Sequence, residues 1–514
     1  MLKNSKFLNV VLVLSMLLLL AVPVASAAPA AAGMACAQTY TVVANDWLSK
    51  LSDKYYGSIT AYWPIMAATN QKSLEDKAYT KIDNADLIEV GQKLCVPSKD
   101  DATTFLKTFD PKNPSGLFGA GKKGQLIVGS WWTNGGEFAG LNEMFKQYKT
   151  ANPDVEIVNA ATAGGAGTNF KGQLLTQLLG GVAPDTFQLH AGLEVETYSP
   201  GTLVVPVDDV YTSAGLEKVF PKDLLALLKY KDGHYYGVPV NIHRANVLWY
   251  NKSLFTKAGI TAAPTTWDEF FATADKLKAA GIAPVALGGK DGFELQHTFE
   301  TILVGTLGAD GYRGLWTGAT KWSDAKVTAS LNTFKKYISY ANSDHDALTW
   351  AAAHALLIQG KAAMSIMGDW ANGEFTAAKF TDYGWAPSPG SKGVFDALSD
   401  SFALPAKSPN KDNAKAWLAL AGSKAAQEAF NPAKGSTCAR TDCNLALFND
   451  YLKSAAADWG ANAIVPSVTH GAAATPKWAT KGYSDAVVLF ATSGDVAKAQ
   501  SALVAAAVDA GFPQ

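Results

Sequence analysis

The stretch GSWWTNGGE at residues 129–137 places two adjacent tryptophans where an apolar strand-like run, QLIV at 125–128, should be ending. Successive strand residues point to opposite faces, so both indoles can be core only if both faces are covered. The alternative is that Trp131 or Trp132 offers a flat apolar platform to a ligand whose edge is met by polar groups such as Glu137. Comparable groups recur at element ends: Gln188 and His190 in FQLHAG, Gln296 and His297 in LQHTFE, Trp350 in LTW, Asp400 in LSDSF, Lys434 in NPAKGS and His470 in VTHGA. A ring with one apolar face and an equator of hydroxyls suits this set, because indole stacks on the face and each hydroxyl can both donate and accept. Each residue also has a structural reading: Trp350 as core of the LTWAAAHALL helix, Asp400 as a turn cap, Lys434 as a solvated lysine, His470 as a satisfied histidine.

Signatures of catalysis are sparse. The chain has no Gly-x-Ser-x-Gly, no His-Glu-x-x-His and no phosphate-cradling Gly-x-x-x-x-Gly-Lys-Ser/Thr. AGGAG at 163–167 lacks the Gly-x-Gly-x-x-Gly spacing and reads as a tight turn or a close backbone approach. Hydrolysis of a glycosidic bond needs two carboxylates at a set separation. Glu137, Asp185, Asp369 and Asp400 are candidates, but no pair stands out in sequence, and a carbohydrate-active enzyme remains the alternative class. The expectation is a non-enzyme with no catalytic residues, no metal and no cofactor. With 44 Lys and Arg against 45 Asp and Glu, the net charge of −1 gives no reason to expect nucleic acid.

Lys3 and Lys6, the apolar FLNVVLVLSMLLLLAVPVA and the small residues of ASAAPA read as a signal peptide over residues 1–27, cleaved near Ala27. The product is expected to be exported, to the extracellular space, cell wall or periplasm. A retained membrane anchor is the alternative. In that oxidising setting, Cys36–Cys95 and Cys438–Cys443 are the simplest disulfide pairing, with a zinc site as the alternative for the second pair.

The mature chain is too long for one small domain. Residues 38–98 form a compact segment, 99–123 read as a linker, and 124–514 carry alternating strand and helix signals. There, QLIVGSWW is a strand, followed by a helix with Phe138, Leu141, Met144, Phe145 and Tyr148 on one stripe. VEIVNAAT is the next strand, then a helix bearing Phe170, Leu174 and Leu178, then the strand DTFQLH. This βαβαβ order argues for an α/β fold with a parallel sheet, whose ligands sit beyond the carboxyl ends of the strands. Trp131, Trp132, Gln188 and His190 fall at such ends. Further on, Thr266 and Glu269 form a capping-box pattern before a helix.

In residues 38–98, TYTVV, DWLSKLSDKYYG (a helix begun by Asp46), WPIMAATNQ and LIEVGQKLCVP (a closing strand pair) give a strand–helix–helix–strand order. The segment resembles the lysin motif (LysM), a small βααβ module that binds N-acetylglucosamine-containing glycans such as peptidoglycan. Asn45-Asp46-Trp47-Leu48 stands where the family usually has Gly-Asp-Thr-Leu.

In the large part, VPVNIHRANVLWYNKSLFTKAGI, QGKAAMSIMGDWA, WAPSPGSKGVFDALSDSF, FNPAKGS and VTHGA, with SWW, ATAGGAG and APDTFQLHAG, resemble the sugar-binding solute-binding proteins of ABC importers. The similarity is to the maltose-binding cluster, and within it to binders of glucose, galactose or mannose. It implies a two-lobed, type II periplasmic-binding-protein-like fold crossed near 238–241 and in ALSDSFALP, with a cleft that closes on sugar. It also implies a monosaccharide ligand, permease subunits as partners and a monomeric receptor. The substrate-binding residues it implies are Trp131 or Trp132 for stacking, Glu137, Gln188 and His190 for hydroxyls from the first lobe, Trp350 from the second lobe, and Asp400, Lys434 and His470 for the remaining hydroxyls. The spacing from the Trp pair to Glu137 is one residue longer than the family's. His243, Gln296, His297 and Trp370 are expected in a second layer. A LysM module ahead of such a receptor would hold it at the cell wall.

Overall fold

A computed structural model describes residues 35–514, apart from 44–45, 47, 59–60, 81, 83–87, 109–123, 165–166 and 513. The signal-peptide segment 1–27 lies outside the described residues. Among those described, no helix is long and apolar enough to cross a membrane. The chain divides into two compact units at Asp110–Pro111.

The first unit pairs strand β1 (Gln38–Thr41) antiparallel with β2 (Lys93–Val96), in the register Gln38↔Val96. Helices Leu48–Tyr56 and Trp63–Glu75 lie between them in sequence, so the strand–helix–helix–strand order holds. Leu48, Leu51, Ile65 and Leu94 form its buried core. Two expectations change. Among its described residues the closing segment contributes the single strand β2, and residues 99–108, read as linker, form a helix. Ser98 Oγ accepts from the Asp101 N–H at its start, Asp100 and Asp101 sit in its first turn, and it buries Ala102. The mixed polarity of DATTFLKT hid an amphipathic turn. Asp46 faces back into the turn, accepting from the Tyr40 hydroxyl at 2.6 Å and the Val43 N–H at 3.0 Å.

Both expected disulfides are formed, Cys36–Cys95 and Cys438–Cys443. The first closes 59 residues of chain separation across β1 and β2. Restricting the unfolded chain that far is worth about 4 kcal/mol. Cys36→Ser with Cys95→Ser should therefore lower the unfolding free energy of the first unit by about that amount in a urea melt. Removing Cys438–Cys443, with its separation of 5, should cost about half as much.

The second unit has two lobes. In the first lobe, β3 (Gln125–Ser130) lies parallel to β4 (Glu156–Ala161) and β5 (Thr186–His190), as the βαβαβ reading requires. β6 (Gly237–Pro239) and β13 (Asp400–Ala403) complete a five-stranded sheet in the order β4-β3-β5-β13-β6, with β13 antiparallel to both neighbours. The first helix, Gly135–Ala151, buries Leu141, Met144 and Tyr148, whereas Phe138 is 39% exposed and drops out of the expected stripe. The second lobe holds two sheets. One is β11 (Tyr383–Pro387), β8 (Val247–Asn251), β10 (Ala362–Ile366) and β9 (Ala283–Val285) in that order. The other is β14 (Ala463–Pro466), β12 (Val394–Leu398) and β7 (His243–Arg244).

The lobes are joined where the chain changes sheets. Val240–Ile242 link β6 to β7, and Ser399 alone links β12 to β13, both within the stretches expected to cross. A third crossing follows helix Lys424–Lys434, which packs on helix Gly135–Ala151. Thr437 then bridges Ile242 before the chain enters the second lobe. The lobes also meet at helix Ala371–Ala377, through glycines. A Cβ on Gly136 would lie 2.7 Å from Gly373, and one on Gly435, at φ +83°, would lie 2.3 Å from the Gly373 nitrogen.

Candidate functional site

Between the lobes lies a cavity of about 360 Å³. Trp131, Glu137, His190, Asp400 and Lys434 line it from the first lobe, and Phe293, Trp350, Trp370 and His470 from the second. His243 and Leu398 close it from the crossing strands.

Trp131 follows the carboxyl end of β3. Its indole packs against Phe170 at 6.0 Å and His190 at 5.1 Å between ring centroids, and Lys171 Nζ lies 5.0 Å over its ring. Gly167, the last residue of AGGAG, backs it: at φ +98°, a Cβ there would lie 2.8 Å from the indole. Gly167 is thus a close backbone approach to a tryptophan. Trp132 turns the other way, fully buried, against Phe402 at 5.9 Å and Phe430 at 5.1 Å, and does not line the cavity. One indole of the pair faces the cleft and the other packs the first lobe.

Asp400 is at the hub. Register pairs it with His190 across β13 and β5, so a returning antiparallel strand brings it to the carboxyl end of a parallel one. Its Oδ1 accepts from Gln188 Nε2 at 2.8 Å, and its Oδ2 from Asn241 Nδ2 at 2.7 Å with His243 Nε2 at 3.2 Å. Burial opposes its charge, but the His243 hydrogen bond and the charges of Lys434, His243 and His190 outweigh it. They hold the carboxyl well below the usual carboxylate range. His243 Nδ1 hydrogen-bonds Asp369; burial works against its proton, yet the Asp369 charge prevails and raises its pKa. Lys434, at the end of its helix, donates to Glu137 Oε1 at 3.0 Å, in the first turn of helix Gly135–Ala151. His190 Nδ1 lies 2.7 Å from Glu194 Oε2, which also accepts from Lys171. Burial opposes the Glu194 charge, but Lys171 and His190 bring its pKa down to about 2.

The structure thus brings Trp131, Glu137, His190, Trp350, Asp400, Lys434 and His470 to one cavity. Gln188 does not line it: its amide accepts from the Trp131 N–H at 3.2 Å and donates to Asp400, orienting two lining residues from behind. His243 and Trp370, expected in a second layer, line the cavity directly, whereas Gln296 and His297 do not. Phe293 and Leu398 were not anticipated. Signals existed for three of these: His243 and Leu398 flank the crossing segments, and Trp370 follows the carboxyl end of β10. Among the described residues, no group of three His, Cys, Asp or Glu is disposed to hold a metal ion.

Behind Trp350, His354 packs on Phe375 at 5.1 Å, and neither ring nitrogen has a partner among the described residues. Burial takes its pKa down to about 3. The folded state resists charging it, so stability is intact above the unfolded value near 6.5 and is lost as pH falls below it. His354→Leu removes this loss. Relative to wild type, the variant should gain about 1.4 kcal/mol per pH unit below 6.5, or about 2 kcal/mol by pH 5, in paired urea melts at pH 7 and 5.

The family model for the bacterial extracellular solute-binding protein matches residues 131–428, and the LysM domain model matches residues 40–97. An uncharacterized ABC transporter extracellular-binding protein of Pyrococcus horikoshii is 38% identical over 74% of this chain and 86% of its own. A probable sugar-binding periplasmic protein of Rhizobium meliloti is 35% identical over 61% of this chain and 75% of its own. Among solved structures, the bacterial solute receptor AcbH, described as having an exclusive preference for β-D-galactopyranose, superposes with a TM-score of 0.67. It does so at 24% identity, over 76% of this chain and 99% of its own. A relative covered over most of its length, a family model spanning more than half the chain and a shared two-lobed fold agree: the chain belongs to the bacterial extracellular solute-binding protein family.

Proposed function

We propose that this protein is the extracytoplasmic sugar-binding component of an ABC importer, that its lobes close on one monosaccharide of the glucose, galactose or mannose kind, and that its LysM unit holds it to peptidoglycan. The observation that carries the reading is the interlobe cavity. Its walls bring indoles together with a few converging polar side chains, the usual make-up of a small-molecule site. Trp131 on one side, with Trp350 and Trp370 on the other, supplies apolar faces for a pyranose. Asp400, Glu137, Lys434 and the histidines supply its polar equator. Asp400 Oδ1 carries one protein hydrogen bond, which leaves room to accept from a hydroxyl. The sugar-binding relative supports the same class. The relatives support binding rather than hydrolysis, since the matching family model and the sugar-binding relative are of solute-binding proteins.

A thermal-shift screen of the intact protein against glucose, galactose, mannose and xylose tests the reading. A ligand at a hundred times its Kd should add about 2.7 kcal/mol of stability. The same protein should sediment with insoluble peptidoglycan at low and moderate salt. A protein that stays in the supernatant would reduce the LysM unit to a spacer.

A further inference from the structure

The cavity histidines share a feature that sugar contact alone does not require. Each has its Nδ1 engaged from behind: His190 by Glu194, His243 by Asp369, and His470 by Ser467 Oγ at 2.7 Å. The third is indirect, and the group behind it is a fully buried carboxylate, Glu300, whose Oε2 lies 3.0 Å from the same Ser467 hydroxyl.

Proton counting along this relay fixes its direction. Glu300 Oε1 accepts from the Tyr312 hydroxyl at 2.5 Å and the Val468 N–H at 2.6 Å, and Oε2 from Ser467 and from the Thr469 N–H at 3.2 Å. Four donors match the four lone-pair sites of an ionised carboxylate. Its buried neighbour Asp396 finds no hydrogen-bond partner for either oxygen among the described residues. Burial raises both carboxyls; four hydrogen bonds oppose the rise at Glu300, while at Asp396 the Arg244 charge opposes it without offsetting burial and the Glu300 charge, so Asp396 keeps the proton of the pair. Ser467 has one hydroxyl hydrogen. With that hydrogen directed to Glu300, its oxygen can only accept from His470, which must carry its proton on Nδ1. Burial, then the charge of His190, also disfavours a second proton on the ring.

We propose that Glu300 is a positioning residue of this site: acting through Ser467, it fixes His470 as the neutral Nδ1–H tautomer, so that Nε2 accepts a hydrogen bond from a ligand hydroxyl. The inference rests on the sugar-site reading for its ligand but not for its tautomer. It makes the His470 side of the cavity an acceptor that selects a donating hydroxyl and discriminates against a ligand carrying an ether or a carboxylate at that place.

The test is a nitrogen-15 spectrum of the intact, ligand-free protein with labelled histidine, the His470 signals being assigned by their loss in His470→Asn. The expected result is an unprotonated Nε2 and a protonated Nδ1 at His470. An unprotonated Nδ1, or rapid averaging of the two forms, would overturn the proposal. Glu300→Gln and Ser467→Ala then remove the relay from either end. Each should move the His470 signals toward the other tautomer and weaken monosaccharide binding at least tenfold, and unchanged signals in folded variants would also overturn it. If Glu300→Gln does not fold, Ser467→Ala and the wild-type spectrum still decide. A protein with the expected spectrum that binds none of the sugars tested would refute the ligand reading while leaving the tautomer assignment in place.

Discussion

Trp132→Ala should cost about 3–5 kcal/mol of folding stability, the range for deleting a fully buried large side chain, whereas Trp131→Ala should cost much less and act mainly on ligand binding. The two residues are adjacent, their rings stand edge to face at 6.5 Å and both pack on the first-lobe core, but only Trp131 also lines the cavity. Trp132 sits in the first-lobe core between Phe402 and Phe430. Trp131 forms part of the cavity wall, and its loss removes the apolar platform at a cost in affinity of about 1 kcal/mol or more. Each variant needs two numbers, the urea-unfolding free energy of the unliganded protein and the affinity for its best sugar. Equal losses of stability with wild-type affinity in both variants would make the pair an ordinary core element.

Asp400→Ala should affect both quantities. The substitution leaves the Gln188 and Asn241 amides without their acceptor and removes a carboxylate from beside His243. A buried donor left without its acceptor typically costs about 1–3 kcal/mol, while His243 keeps Asp369 as its counter-charge. Loss of a hydrogen bond donated by a sugar hydroxyl to a charged acceptor is worth about 1.5–3 kcal/mol, which is roughly tenfold to a hundredfold in Kd. The pH dependence follows from the depressed pKa. The stabilisation by Asp400 is present above its unfolded value of about 3.9 and is lost only as pH falls below it toward the folded value. The stability gap between wild type and variant should therefore narrow in acid below about pH 4 and, because Asp400 also helps to raise the His243 pKa, shrink as pH rises through the range where His243 loses its proton. A gap that is absent at pH 7 would mean that the hub contributes nothing to the unliganded fold.

Much of this arrangement was legible in the chain because local patterns carried it. The period-3.6 stripe of Leu141, Met144 and Tyr148 and the strand runs QLIV and TFQLH fixed the parallel part of the first sheet, and with it the end where Trp131 and His190 lie. The cysteine spacing sufficed for both disulfides. Long-range pairing did not show itself. That β13 returns antiparallel beside β5, setting Asp400 against His190, depends on contacts between segments more than two hundred residues apart. The same holds for Gln188, whose polar amide is spent on Asp400 and the Trp131 backbone, and for His243, which reaches the cavity because β7 pairs with β12 at the crossing. Helix Lys99–Thr108 was missed because a short helix burying little apolar surface has a pattern close to that of a linker. Side-chain type showed which residues could meet a polyhydroxylated ring, but not which of two neighbours would face it.

The central claim is that one neutral monosaccharide occupies the cavity between the lobes. Titration calorimetry of the intact protein with glucose, galactose, mannose and xylose, and with an oligosaccharide series, tests it most directly. The expected result is saturable binding of at least one monosaccharide at one site per chain, lost in Trp131→Ala and Asp400→Ala and accompanied by no release of reducing sugar from glycans. Binding confined to oligosaccharides, or no heat with any monosaccharide, would contradict it.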